Sequence, residues 1–328
     1  MGFGMSDKDI DLDRKIKPEI KKLNNGFTCP IMGLGTALIN DKEKIQVVYQ
    51  SIIDGVRLID TGPPNEEFVG EGIKKALDEH IVKREDLFIV TKLELEEKDN
   101  PEEALRKSLD RLKLKYVDLY LDHWPSCINI NEPDKYKLIP VKETWLKMEH
   151  LVDLGLTKSI GVCNYNVENM LNILSIYRIK PVVNEVEFHP YLYQKDLKEF
   201  CDKENIILFA YNPLVKGNYC DKDYIYNRNF NLYTEPTIIS LYHKYGESKK
   251  EDEKPKRLLT KGQIILNWHL CVGVVPIPGT SKPDRMKENL EAKNFTLHNK
   301  HIETLCSYEE KQHRFLDGSN IFGINIFA

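Results

Sequence analysis

Three ionisable side chains each follow a short apolar run: Asp60 after Leu58-Ile59, Lys92 after Leu87-Phe88-Ile89-Val90-Thr91, and His123 after residues 117–122. Runs of this length, rich in β-branched residues and bounded by loop signals, read as strands. The three groups therefore stand at the carboxyl ends of consecutive strands, the edge at which parallel α/β folds carry their chemistry. Each has a plain structural explanation when taken alone. Asp60 would cap the next helix, Lys92 would be a solvated strand end, and His123 would be a hydrogen-bonded core histidine. A carboxylate, an amine and an imidazole converging on one mouth are, taken together, the parts needed to move a proton and to stabilise developing negative charge.

The elements that must position these groups follow a regular alternation. Asn24-Asn25-Gly26, flanked by residues 19–23 and 27–30, is an Asn-Gly hairpin signal, and such a hairpin would plug one end of a barrel. A short strand is expected at 31–34. Ile45, Val48, Ile52 and Ile53 then recur at helical spacing over 42–54. After the strand at 58–60, the loop Thr61-Gly62-Pro63-Pro64-Asn65 leads into a helix over 66–80 with Glu66 and Glu67 in its first turn, where carboxylates suit the macrodipole. Asn100-Pro101 opens the helix after the strand at 87–92, with a capping residue followed by a proline at the first position. A helix over 142–154 follows the strand at 117–122. Further strands are expected at 159–162, 182–187, 206–210 and 272–276. Eight strand–helix units whose strands are apolar along their length predict a parallel sheet covered by helices, closed as a (β/α)8 TIM barrel with an N-terminal β-hairpin. The domain reading is a polar segment over 1–17 and one barrel domain over 18–328.

One connection is long, near 213–258. It holds Tyr219, Tyr224, Tyr226 and Tyr233, a helical stretch over 237–245, and a charged run over 247–257 that reads as a solvated loop or, as the minority reading, a partner-docking segment. The tail after Cys306 has no clear period and would cross the barrel mouth or dock elsewhere. The chain of 328 residues is 41% hydrophobic with a mean hydropathy of -0.45, as expected of a soluble globular protein. Lys+Arg of 47 against Asp+Glu of 51 gives a formal charge of -4, which offers no basic excess for nucleic acid. Seven scattered cysteines with no Cys-x-x-Cys pair suggest reduced thiols rather than a disulfide framework or zinc site. No apolar run approaches the roughly 20 residues that span a bilayer, so the expectation is a cytoplasmic protein without a membrane partner. Met1-Gly2-Phe3-Gly4-Met5-Ser6 fits a loose acylation pattern, but Phe3 and the mixed charges of residues 7–15 argue against stable anchoring. The pair His298 and His301 lacks a third ligand nearby and reads as a polar helix surface, so no metal is expected.

The sequence around the three ionisable groups resembles the aldo-keto reductases. The likeness extends over nearly the whole chain through Met32-Gly33-Leu34-Gly35-Thr36, Ser159-Ile160-Gly161-Val162-Cys163-Asn164, Val183-Asn184-Glu185-Val186-Glu187-Phe188-His189-Pro190, Ala210-Tyr211-Asn212-Pro213-Leu214 and Ile277-Pro278-Gly279-Thr280-Ser281. Gly33-x-Gly35 is not a dinucleotide fingerprint, since no third glycine follows. The resemblance implies hydride transfer from NADP or NAD, in reduced form, to a small carbonyl substrate, with a tyrosine protonating the oxygen. A lysine paired with an aspartate lowers that phenol's pKa, and a histidine orients the carbonyl. Lys92, Asp60 and His123 match those positions one by one. The resemblance further implies that Asn164, Glu185 and Tyr211 meet the nicotinamide. Leu214, Thr280, Arg285, Glu288 and Asn289 complete the cofactor site, the last three at the adenosine half.

The chain departs from the family's pattern at one decisive point. The family loop runs Asp-Thr-Ala, two residues, Tyr, one residue, Asn-Glu, whereas here Asp60-Thr61-Gly62-Pro63-Pro64 goes directly to Asn65-Glu66. The tyrosine and its neighbour are deleted, and alignment from Asp60 puts Asn65 in the phenol's place. Glu185 stands where a neutral Gln commonly contacts the nicotinamide, Cys163 replaces a Ser, Ala37 replaces a pocket aromatic, and Gly279 replaces the Lys that grips the 2′-phosphate of NADP. Two functions are expected from this: a carbonyl reductase weakened by the missing phenol, or a non-catalytic barrel serving a larger protein assembly through its charged loop and termini.

Overall fold

The computed structural model describes residues 10–37, 39, 41–125, 139–215, 231–246, 258–311, 313–318, 322 and 327. The acylation pattern at 1–6, Cys127, Cys220, Tyr219, Tyr224, Tyr226 and the charged run at 247–257 lie outside the described residues, and so does the docking role expected of that run.

Eight parallel strands form the barrel in chain order: β1 Gly33–Gly35, β2 Leu58–Asp60, β3 Phe88–Leu93, β4 Leu119–Asp122, β5 Ile160–Cys163, β6 Val183–Glu187, β7 Ile207–Tyr211 and β8 Val275–Pro276. The ring closes through a parallel bridge between Gly35 and Gly279, where the Gly35 amide donates to the Pro278 carbonyl at 3.2 Å. The expected (β/α)8 barrel is thus the observed fold. The hairpin is present as Ile20–Lys22 against Thr28–Pro30. Its turn is tied to the barrel by the Asn24 amide on the Pro181 carbonyl (2.9 Å) and the Asn25 amide on the Ser159 hydroxyl (2.9 Å).

Strand periodicity explains how one molecule has both a packed barrel and a polar mouth. Side chains alternate between the two faces of a strand. Ile59, Ile89, Tyr120, Ile160 and Leu208 point outward into the layer shared with the helices. Leu58, Phe88, Val90, Leu119, Leu121, Val183, Phe209 and Val275 point inward and fill the barrel above the plugging Leu23 and Cys29. Continuing each inward row by two residues gives Asp60, Lys92, His123, Glu185 and Tyr211. The polar groups are therefore the top layer of a barrel whose lower layers are apolar.

The helices dock through the outward layer. Asn100 caps Pro101–Leu112, its side chain accepting from the Glu103 amide, as the Asn-Pro signal implied. The helix Glu66–Asp78 packs so closely on Pro101–Leu112 that a Cβ on Gly70 would lie 2.5 Å from the Arg111 carbonyl oxygen. Gly70→Ala is therefore expected to destabilise the fold by about 1–3 kcal/mol through forced separation of the two helices, read as a lower denaturant midpoint.

Element boundaries fall within two residues of the sequence reading except at the last strand. The last strand begins at Val275 rather than 272, because Gly273 takes a φ of 82° and closes the end of the helix Lys261–Cys271, leaving 272–274 as its exit turn. Within the polar N-terminal segment, two residues join the fold. Ile10–Asp11 pairs antiparallel with Thr296–Leu297, and Ile10 is buried. The stretch expected near 237–245 is the helix Pro236–Tyr245. Among the described residues no helix is long and apolar enough to cross a membrane.

Candidate active site

The top layer lines a cavity of about 270 Å³. At its base Lys92 donates to an Asp60 carboxylate oxygen and to the Thr61 carbonyl (3.0 Å), and its amine lies 3.3 Å from Glu185 Oε1. All three side chains are buried. Burial alone would lower the Lys92 amine, but the Asp60 and Glu185 carboxylates outweigh it and hold it well above its usual value, so it remains charged. Burial and the neighbouring Asp60 carboxylate push Glu185 up to about 8, against the favourable pull of Lys92. Burial and the Asp60 charge thus favour the protonated form of Glu185 beside a cationic Lys92. Glu185 Oε2 is buried with no hydrogen-bond partner.

This arrangement has a stability consequence with a definite sign. Glu185 binds its proton more tightly folded, at about 8, than at its usual 4.5. Its full stabilising contribution is present below about pH 4.5 and is lost as pH rises through about 8. Glu185→Gln is expected to abolish that alkaline loss, on the order of a few kcal/mol, so that denaturant midpoints at pH 6 and pH 9 converge.

His123 stands on the rim. Its Nδ1 is 2.9 Å from Glu94 Oε2, and its ring lies beside Trp124 at a centroid distance of 5.9 Å. Asn164 donates to the His123 carbonyl (3.0 Å) and accepts from the Tyr211 hydroxyl (2.7 Å), which orients both the amide and the ring at the wall. Asn164 reaches this position in a left-handed conformation, φ 63°, a region asparagine tolerates better than most residues. The Cys163 thiol, buried beside these groups, is pushed well above its ordinary value by desolvation and is inert as a nucleophile.

The C-terminal segment crosses the mouth, settling one of the two courses open to it. The Phe315 and Leu316 amides donate to the buried Glu187 carboxylate at 3.0 Å each, and Asn212 donates to the same group at 2.9 Å. Burial opposes the charge on Glu187, but His189, these amides and Asn212 hold it below the usual carboxylate range. Leu316 and Gly318 thereby become part of the cavity wall, and Phe322 packs edge-on against Trp124 at 5.5 Å.

The structure brings Asp60, Lys92, His123, Asn164, Glu185 and Tyr211 together around the cavity. It does not bring Leu214, Thr280, Arg285, Glu288 or Asn289 to its wall. Leu214, partly buried, packs against the core, and Thr280 closes a local turn on Lys282. Arg285, Glu288 and Asn289 lie on the helix Pro283–Leu290, where Arg285 is exposed and Glu288 accepts from Thr260. Glu94 was missed, although its signal was legible: two residues beyond Lys92 on the same inward row, it must face the same way. Glu187, the tail's anchor, was quoted only as part of a motif.

A family model described as the Aldo/keto reductase family matches residues 31–310. The chain belongs to the aldo/keto reductase family. It is 33% identical over 322 residues to an NAD(P)H-dependent D-xylose reductase of Pyricularia oryzae, covering 92% of this chain and 95% of that one. It is 34% identical over 308 residues to aldo-keto reductase family 1 member A1-A of Danio rerio, covering 90% of each. A crystal structure of a Bombyx mori aldo-keto reductase in complex with NADP superimposes with a TM-score of 0.79 at 32% identity, over 92% of this chain and 95% of that one. In this aldo/keto reductase the loop after Asp60 folds as a short 3-10 turn, Pro63–Asn65, with Asn65 held by Lys44. Among the described residues no tyrosine hydroxyl bonds to Lys92, whose contacts are Asp60, Thr61 and Glu185.

Proposed function

We propose that this aldo/keto reductase binds NADP(H), or NAD(H), and reduces the carbonyl group of a small aldehyde or ketone. The observation that carries the reading is the buried Lys92–Asp60 pair beneath His123, at the mouth where Asn164, Glu185 and Tyr211 form one wall. A bound reduced nicotinamide supplies a hydride to the carbonyl carbon. Asp60 fixes Lys92, and the persistent positive charge of Lys92 stabilises the negative charge that develops on the reacting oxygen. His123 lines the rim of the same cavity, where it would face a small carbonyl bound there. Asn164 and Tyr211 present an amide and a ring to the nicotinamide.

The residues present fit that cofactor. Glu185 Oε2 is a buried polar atom without a partner, and a nicotinamide carboxamide is a group able to provide one. A protonated Glu185 also carries the neutral character of the Gln it replaces. Leu214, Thr280, Glu288 and Asn289 are assigned to the remainder of the dinucleotide. Exposed Arg285 is assigned to a charge-assisted contact with the 2′-phosphate in place of the lysine lost at Gly279. The NADP in the Bombyx mori neighbour and the NAD(P)H dependence of the Pyricularia relative support the assignment.

Purified protein is expected to bind NADPH in a fluorescence titration and to oxidise it in the presence of reactive aldehydes. Failure to reduce any aldehyde above the buffer rate would remove the reading. A second reading, a non-catalytic barrel within a protein assembly, is favoured by one observation: among the described residues no phenol bonds to Lys92. Gentle isolation that yields a monomeric, partnerless and active protein excludes that alternative.

A further inference from the structure

We infer that His123, held by Glu94, delivers the proton that the reacting oxygen takes up, so that this pair replaces the deleted phenol. The inference rests on the carbonyl-reductase reading.

The other described titratable donors on the cavity wall are committed elsewhere or buried. The amine of Lys92 faces three oxygens, on Asp60, Thr61 and Glu185. The Tyr211 hydroxyl is given to Asn164, and burial raises its pKa far above neutrality. Glu185 holds a proton, yet it lies at the buried base behind Lys92 with a side chain only 3% exposed. His123 and Glu94, by contrast, are 27% and 24% exposed, so a proton spent at the rim is replaced from solvent.

The geometry of the pair fixes the protonation logic. Burial would raise the Glu94 carboxyl, but the hydrogen bond and charge of His123, with Lys92 adding to them, draw it below the usual range. An ionised Glu94 is an acceptor only, so the hydrogen between the two belongs to His123 Nδ1. A neutral His123 in that tautomer presents a bare Nε2, which has no hydrogen to offer an oxygen. Only the imidazolium carries Nε2–H. As the carbonyl carbon accepts hydride and forms its new C–H bond, the π pair on oxygen takes the Nε2 proton and forms O–H. The N–H bonding pair stays on Nε2 as a lone pair, the carbonyl is reduced to an alcohol, and the nicotinamide is oxidised. Glu94 is a positioning residue in this scheme, since it acts through the imidazole.

Among the described residues, the charged and titratable groups around the pair are Lys92, Asp60 and Glu185 below it, Cys163 and Tyr211 on the wall, and Glu97 beyond Glu94. The test compares kcat/KM against pH for wild type, Glu94→Gln, Glu185→Gln and His123→Gln, with saturating NADPH and a reactive aldehyde. Wild type is expected to show an alkaline limb. Glu94→Gln is expected to move that limb to lower pH by at least one unit and to cut the neutral-pH rate at least tenfold, whereas His123→Gln abolishes the limb and lowers the rate by about 10²–10⁴-fold. The second readout needs no turnover: ¹⁵N NMR of the cofactor-free protein is expected to show the Nδ1–H tautomer when His123 is neutral, and a shift toward the Nε2–H tautomer in Glu94→Gln. Turnover with an unmoved limb in Glu94→Gln, or a limb that moves in Glu185→Gln instead, would overturn the inference alone. An inactive wild type would remove the reductase reading, and with it the inference.

Discussion

Lys92→Met is expected to lower kcat/KM for aldehyde reduction by about 10²–10⁴-fold, the range in which a preorganised charge acts on a developing oxyanion. It is also expected to destabilise the protein by about 3–5 kcal/mol, because a buried ion pair that loses one member leaves the other charge uncompensated. The side chains of Lys92 and Asp60 are only 8% and 10% exposed, so water cannot take over the missing contact. The two losses are separable. Adding Asp60→Asn to Lys92→Met removes the stranded carboxylate and is expected to recover much of the stability while leaving the rate low. Steady-state kinetics and urea denaturation of the single and double variants check this. Equal recovery of both quantities would show that the rate loss merely reported misfolding.

Insertion of a dipeptide, tyrosine followed by one small residue, between Pro64 and Asn65 is expected to raise kcat/KM above the alkaline limb, where His123 no longer carries the proton it would give, by up to about 10²–10⁴-fold, the usual worth of a positioned general acid. Gly62, Pro64 and Asn65 already line the cavity on the side of Asp60 and Lys92, so added chain at that point has the mouth to enter. Asn65 is anchored to Lys44, and Glu66 is held by Arg111 at 2.6 Å, which keeps the downstream helix in place while the loop lengthens. A phenol reaching Lys92 would have its ionised form stabilised by the amine, the arrangement that makes tyrosine an effective acid near neutral pH. The alkaline limb assigned to His123 would then lose its control of the rate. Unchanged kinetics with the cofactor bound would count against the deletion as the limiting defect.

The sequence determined the barrel and the identity of its charged triad. Apolar runs separated by helical periods specify strands covered on both faces, and a strand's alternation of two carries Asp60, Lys92 and His123 to the same side as the apolar residues beneath them. Asn100-Pro101 and Asn24-Asn25-Gly26 acted through their own backbone chemistry, so their caps and turn were legible without any partner. The missing tyrosine was legible once the loop from Asp60 to Glu66 was set beside the family's pattern, since a deletion is read by counting residues against it.

Tertiary structure decided what those groups do to one another. The proton on Glu185 depends on its burial beside Asp60, two strands whose separation in sequence says nothing of their carboxylates' distance. Glu94 became significant only when the pairing of β3 with β4 set it 2.9 Å from His123, at the end of the next strand. The tail's course over the mouth is dictated by a single buried carboxylate, Glu187, whose need for donors is met by backbone amides that have no sequence signature. Periodicity is a local property and survives in the sequence, whereas desolvation and charge pairing are properties of the space between elements and exist only once the chain has closed around them.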